Sequence, residues 1–274
     1  AYLKIDRGIE LHHDGDLPAR SGMGSSSAFT VGLLHILHAL KGKMVTKKQL
    51  ASESIYVEQE LLRETVGSQD QVMAAYGGLR QVKFLPNGEI SVNPVILPAE
   101  RIREFQAYLM LFYTGIARTA SSVAKSYVED IGLRRQQLRL MGEYVEKSLE
   151  ILGTHAAIEQ IGHMLHNAWQ VKRSLSSQVS NPQIDALYER ARSAGAIGGK
   201  LTGAGGGGFL LLFAPPSKHN AIIEKLGNLL HVPFKFETDG SQIIFFEPEV
   251  DYRDAEKARH AQTDLRFQEY SDAA

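Results

Sequence analysis

Apolar positions along this chain follow two spacings, one of two residues and one of three to four. Leu3 to Leu11 alternates and predicts a strand. Phe29, Leu33, Ile36, Leu37 and Leu40 recur at helical spacing, predicting a helix that stops near Gly42. A second helical pattern covers 47–64 and is broken by VGSQDQ, after which comes a short apolar segment, VMAAY. LRQVKFL and EISVNPVIL flank Pro86-Asn87-Gly88 and read as a hairpin. FQAYLMLFYTG is a buried-strand run, and helical patterns then fill 120–179 with an interruption near Gly153. Asn181-Pro182 opens a further helix that ends at the glycines after Ala194. GFLLLFAP is a short, wholly apolar strand, and 216–230 reads as helix. PFKFET and SQIIFFE, joined by Asp239-Gly240, predict a second hairpin. The C-terminal residues are polar and expected at the periphery. Strands and helices mix without strict alternation, which predicts an α+β fold in two layers. Pro98 and the charged PAERIRE mark a boundary between domains at 1–100 and 101–274.

Composition narrows the functional classes. With 274 residues, 43% of them hydrophobic, the chain can bury a sizeable core. A formal net charge of -1 provides no basic field for nucleic acid or anionic lipid. The absence of cysteine excludes disulfides and thiolate metal sites and fits a reducing, cytoplasmic setting. No apolar run reaches membrane-spanning length. The start, AYLKIDRGIEL, has no signal-peptide pattern or initiator Met, and reads as a chain that begins inside a domain.

Three stretches carry chemistry. Ser21, Gly22, Met23, Gly24, Ser25, Ser26 and Ser27 lie directly before the first helix. A helix N-terminus has unpaired N–H groups and a partial positive charge, glycines let an anion approach, and serines add hydroxyls. The stretch is therefore either a phosphate cradle or a Gly/Ser turn with an N-cap. No Gly-Lys-Ser/Thr follows, so it is not a Walker loop. The second stretch is KLTGAGGGGF, in which Gly203 and Gly205 to Gly208 precede a strand. Glycines that follow a helix and open a strand argue against a dinucleotide fingerprint, where the order is reversed. Five glycines, costly to order, are more than a tight connection requires.

Third is a pair of acids. Glu58 has Ser54, Ile55, Leu61 and Leu62 at helical spacing and points toward the core, whereas Glu60 faces more polar neighbours. A carboxylate on a buried stripe needs a partner, either a bound cation or a core-facing Arg or Lys. Asp70, in the polar break GSQDQ, alone would read as a turn residue. His163 and His166 share a helix face but lack a third ligand, His12 and His13 alternate faces, and Trp169 reads as packing. There is no GxSxG motif.

Together these elements resemble the GHMP kinase superfamily. PARSGMGSSSA is similar to its phosphate-binding motif, Pro-x-x-x-Gly-Leu-Gly-Ser-Ser-x-Ala, with Met23 for Leu, and KLTGAGGGGF is similar to its C-terminal glycine motif. Glu58 and Asp70, twelve residues apart, resemble its magnesium-binding Glu and catalytic Asp. IELHHDGDLPARSGMGSSSAFTVGLL, VGSQDQVMAAYGG, FYTGIARTA and GAIGGKLTGAGGGGF resemble one branch, the bacterial heptose 7-phosphate kinases, and the fucokinase-like branch shares much of this wording. The family's first motif is missing and would precede Ala1.

The resemblance implies a two-domain fold, a mixed α/β domain followed by a ferredoxin-like α+β domain. It also implies ATP and Mg²⁺ as cofactors, with Ser21 to Ser27 and Gly203, Gly205 and Gly206 around the nucleotide. Ser26 and Glu58 would hold the metal, Asp70 would serve the attacking hydroxyl, and Arg118 and Lys200 are candidates for the substrate's own phosphate. The implied reaction is phosphorylation of the anomeric hydroxyl of a heptose 7-phosphate. The implied partner is a small sugar phosphate rather than nucleic acid or membrane, in a cytoplasmic protein that can form a homodimer.

Overall fold

Gly24 takes a left-handed conformation, φ 71°, and helix α1 (Ser25–Leu40) begins there; it ends at Lys41, before Gly42. The computed structural model describes residues 2–6, 8–17, 22–116, 123–126, 131–247 and 252–261. The buried face of α1 is Ser27, Thr30, Val31, Leu34 and His38. This is not the face expected from the sequence, since Phe29, Ile36 and Leu40 of the expected stripe are exposed. The helix is apolar on several sides, so periodicity alone does not choose among them. Two polar contacts hold the observed face inward: Ser27 to Glu58, and Nε2 of His38 to Oε2 of Glu53 at 2.6 Å.

Thr46 caps α2 (Lys47–Tyr56) by accepting from the N–H of Gln49 at 3.1 Å. The helix then widens into a π turn, Val57–Leu61, and Arg63 leaves it in a left-handed conformation, φ 55°. The regular helix expected to Glu64 therefore ends in a different ladder. The expected break is present at 62–68, and the second half of the polar stretch VGSQDQ starts α3 (Gln69–Tyr76), with Asp70 in its first turn. Val31, Leu34, Leu50, Ala51, Val72 and Ala75 form the core shared by α1, α2 and α3. The first hairpin forms as expected: β1 (Arg80–Phe84) pairs antiparallel with β2 (Ile90–Pro94), with Val82 opposite Val92.

Leu3 to Leu11 was expected as a strand, but its described residues join no sheet; Lys4 has φ 51°, and Ile9 and Leu11 are exposed. Alternation marks a chain suited to a sheet, but a strand also needs a neighbour to receive its N–H and C=O groups.

Pro98 precedes α4 (Ala99–Ala107), which takes up the first residues of the expected buried-strand run; β3 (Leu109–Tyr113) is the remainder. Helices α5 (Arg135–Leu152), α6 (Glu159–Arg173) and α7 (Pro182–Ser193) follow, and Asn181 Oδ1 caps α7 by accepting from Ile184 N–H at 3.0 Å. Next come β4 (Gly198–Leu201), β5 (Phe209–Phe213), α8 (His219–Leu226) and the short β6 (Leu230–His231). The glycine cluster thus joins two strands, because β4 stands between it and the preceding helix. The sheet order is β4-β5-β3-β6 with antiparallel neighbours. That is the ferredoxin-like βαββαβ order, with several helices in the first crossover. Phe209, Leu210, Leu212 and Phe213 of β5 are all buried, which explains an apolar run without alternation. Trp169 packs in this core with Met110, Phe112, Ile184 and Tyr188, and Nδ1 of His166 meets the Tyr188 hydroxyl at 2.7 Å.

The second expected hairpin does not form. Its turn docks on the C-terminal end of α3: Ser241 N–H donates to Ala74 O at 2.9 Å, and Gly78 N–H donates to Glu237 O at 3.0 Å. Lys47 reaches Tyr76 O at 3.0 Å and also Asp239 O. Backbone groups around Asp239-Gly240 are committed to a helix end rather than to a partner strand. Contacts group the chain into Ala1–Gln242 and Ile243–Ala274. The second unit contains α9 (Arg253–His260) and the exposed Ile244, Phe245 and Phe246.

Candidate active site

The N-terminus of α1 has no side-chain cap. Its first N–H groups and the positive end of its dipole therefore face the stretch Gly22 to Ser27 without a side chain of the protein to cap them. A Cβ on Gly24 would lie 3.1 Å from Cβ and Cγ of Asp70, so the start of α1 and the start of α3 touch at this glycine.

Glu58 is 1% exposed and sits on the π turn. π turns inside helices are frequent at functional sites. Its Oε2 accepts from Ser27 Oγ at 3.0 Å and from Gln71 Nε2 at 2.5 Å. Its Oε1 is buried without a partner, as is Gln71 Oε1. Among the described residues, Glu58 thus has neutral donors in place of the Arg or Lys that a structural ion pair would supply. A buried carboxylate with one unpaired oxygen fits a bound cation. No group of three or more His, Asp or Glu could form a metal cage among the described residues. Mg²⁺ fits such a sparse set, because it is usually held by one or two carboxylates together with substrate phosphates. Ser27 is the serine that meets Glu58; Ser26 is exposed, and its main-chain oxygen accepts from Thr30.

Asp70 keeps an open side to solvent, while Gln71 beside it is fully buried. Crowding by protein pushes the Asp70 carboxyl above the usual aspartate range, and the charge of Glu58 adds to this; Lys172 and Lys200 pull the other way. Burial pushes the Lys200 ammonium down from its usual range, against the opposing charge of Asp70. Lys200 is therefore at the Asp70 end of the site.

The second glycine loop, between β4 and β5, lies against the first. A Cβ on Gly203 would be 2.8 Å from Gly22 O, and one on Gly22 would be 3.5 Å from Thr202 O. Much of this loop is packed on protein: Gly206 N–H donates to Val179 O at 2.7 Å, Gly208 N–H to Ile116 O at 2.9 Å, and Asn181 Nδ2 to Gly206 O at 3.3 Å. At Gly205, φ is 110° and a Cβ would be 2.5 Å from Val179 O. Close approach of backbone to backbone accounts for several of the glycines.

The structure thus brings together Gly22, Gly24, Ser27, Glu58, Asp70, Lys200 and Gly203. Ser21 and Arg118 lie outside the described residues. Reading the sequence missed Ser27 as the contact of Glu58, Gln71 as its second donor, and Lys172 near Asp70. The signal for Gln71 was available, since it follows Asp70 directly at a helix start. Lys172 is separated from Asp70 by about a hundred residues, and no local pattern marks it.

Comparison with known proteins identifies the class. The GHMP kinase N-terminal domain matches residues 1–78 and the GHMP kinase C-terminal domain matches residues 154–231. Together they span more than half of the chain, which belongs to the GHMP kinases. A Campylobacter jejuni D-glycero-alpha-D-manno-heptose 7-phosphate kinase is 28% identical over 227 residues, covering 82% of this chain and 67% of that protein. The Bacteroides fragilis L-fucokinase/L-fucose-1-P guanylyltransferase is 28% identical over 80% of this chain and 23% of its own length. A crystal structure of a D-glycero-D-manno-heptose 1-phosphate kinase from Bacteroides thetaiotaomicron shares the fold, with TM-score 0.59 and 24% identity over 82% of this chain and 64% of that one. The chain thus spans about two thirds of the heptose kinases it matches.

Proposed function

We propose that this chain forms the catalytic body of an ATP-dependent sugar kinase acting on the anomeric hydroxyl of D-glycero-D-manno-heptose 7-phosphate, and that the product is the 1,7-bisphosphate. The observation that carries the reading is the meeting of Asp70 with Gly24 at an uncapped helix N-terminus, beside a buried Glu58 with one unpaired oxygen. The N–H groups of α1 hold the nucleotide phosphates. Asp70 orients the sugar hydroxyl. The hydroxyl oxygen forms a bond to the γ-phosphorus as the bond from that phosphorus to the β–γ bridging oxygen breaks, ADP leaves, and the hydroxyl proton passes to Asp70. A carboxyl pushed upward by crowding is better matched to that proton than an ordinary aspartate. Glu58, with a hydroxyl from Ser26 or Ser27, would hold Mg²⁺; when bound, the ion supplies positive charge to the phosphate oxygens. Loop 202–208 reaches the nucleotide side through Gly203, which lies against Gly22, while Gly205 and Gly206 pack on Val179 and Asn181.

The choice of heptose 7-phosphate is supported by the Campylobacter relative. The fucokinase relative, equally similar in identity, favours a second reading: a kinase of an unphosphorylated sugar. ADP release measured with heptose 7-phosphate, free heptose, fucose and galactose separates them. Preference for the phosphorylated heptose is expected. Preference for fucose or galactose would move the protein to the second reading, and no ADP release with any sugar would indicate a sugar-binding protein without chemistry.

A further inference from the structure

Three contacts and one electrostatic attraction run around Asp70 and return to it. Asp70 packs against Gly24, the residue that starts α1. Two residues earlier, Gly22 meets Gly203 of the second glycine loop. The main-chain oxygen of Gly203 accepts from Nζ of Lys172 at 2.5 Å. Lys172, in the last turn of α6, lies within electrostatic reach of Asp70. The ring thus passes through α3, both glycine loops and α6, and its two charged side chains are opposite in sign.

We propose that Lys172 is a positioning residue that ties the second glycine loop to the first and keeps Asp70 aimed at the substrate hydroxyl. Its catalytic part rests on the kinase reading above. The physical case has two parts. A charge-assisted hydrogen bond to a carbonyl is stronger than a neutral one, so Lys172 is a firm tether for a glycine-rich loop that is costly to order. The same ammonium attracts the Asp70 carboxylate, which restrains both sides of the contact between the loops. Lys200 also faces Asp70, but from β4, and Glu58 faces it with the opposite effect. Neither Lys200 nor Glu58 makes the link to Gly203.

The test compares Lys172→Met with Lys172→Arg in the 274-residue chain. Hydrogen exchange of peptides covering 202–208 is measured without substrates, alongside thermal midpoint, kcat and KM for the preferred sugar. Lys172→Met is expected to speed exchange in 202–208 and to lower kcat about 10- to 100-fold, the scale of a misplaced reacting group, with KM for the sugar little changed. Lys172→Arg keeps the charge and donors and is expected to recover most of both. Unchanged exchange in Lys172→Met overturns the proposal whatever the activity. So does an arginine variant as impaired as the methionine one with an equal loss of thermal midpoint, which would make the role structural only. Faster exchange in a protein that phosphorylates no sugar would sustain the tether and remove the kinase reading instead.

Discussion

Gly24 and Gly205 both hold backbone angles that favour glycine, φ 71° and 110°. A methyl group added at each would meet different things. At Gly24 it would meet the side chain of Asp70; at Gly205 it would meet the main-chain oxygen of Val179. The first glycine borders the carboxyl of Asp70 at an uncapped helix end. The second lets one stretch of backbone lie on another. Glycine-rich composition therefore serves two purposes here, with the first loop shaped around the site and much of the second shaped around the protein itself.

The largest expected effect comes at the point the first loop encloses. Asp70→Asn keeps the shape and removes the proton acceptor, and kcat is expected to fall about 100-fold or more, with ATP affinity nearly unchanged. A steady-state assay that finds near-normal turnover would take Asp70 out of the chemistry and dissolve the contrast between the loops. Gly24→Ala should come next. Its Cβ crowds Asp70, so activity is expected to fall roughly tenfold, the scale of a modest misplacement. The left-handed backbone there adds only about 1–2 kcal/mol of strain. Gly205→Ala should invert this pattern: thermal midpoint drops by several degrees, at about 2–4 °C per kcal/mol for a chain of this size, while the folded fraction keeps much of its turnover. If calorimetry and kinetics give Gly24→Ala and Gly205→Ala the same ratio of stability loss to activity loss, the loops are not distinguished.

A smaller effect concerns stability against pH. The folded-state pKa of Asp70 is raised above its unfolded value by crowding and by Glu58. Its ionised form is thus disfavoured by folding, so the group costs stability at neutral pH, and the cost disappears as pH falls below the unfolded aspartate value. Asp70→Asn is therefore expected to raise the thermal midpoint slightly near pH 7, with the gain fading in acid. A constant or reversed difference across that range would mean the carboxylate is stabilised where it lies.

How much of this could be read from residues alone differs from element to element. The hairpin around Pro86-Asn87-Gly88 was legible because its turn signal and flanking strands are adjacent in sequence. Helix α1 was legible in extent but not in orientation, because its apolar residues surround it and the deciding contacts, to Glu53 and Glu58, come from another element. Glu58 was expected inside and is inside, but two of the apolar neighbours that suggested it, Leu61 and Leu62, are exposed at the end of the π turn. The Asp239-Gly240 turn was read correctly as a turn and wrongly as a hairpin, because its bonding partner, the end of α3, lies far away in sequence. Long-range pairing escapes a local pattern.

The π turn at Val57–Leu61 also acts as a phase shifter. Each residue in an ordinary α-helix turns the chain by about 100°, so one residue too many in a turn rotates everything beyond it relative to everything before. Leu50, Ala51 and Ser54 are locked to the core in one phase, and the exit at Leu62 and Arg63 follows another. Removing one residue between Gln59 and Leu61 would bring the two phases back together. Glu58 would stay in register with Leu50 and Ser54, the chain leading on to Asp70 would lose its heading, and the proposed site could be pulled apart by a deletion that removes none of its residues.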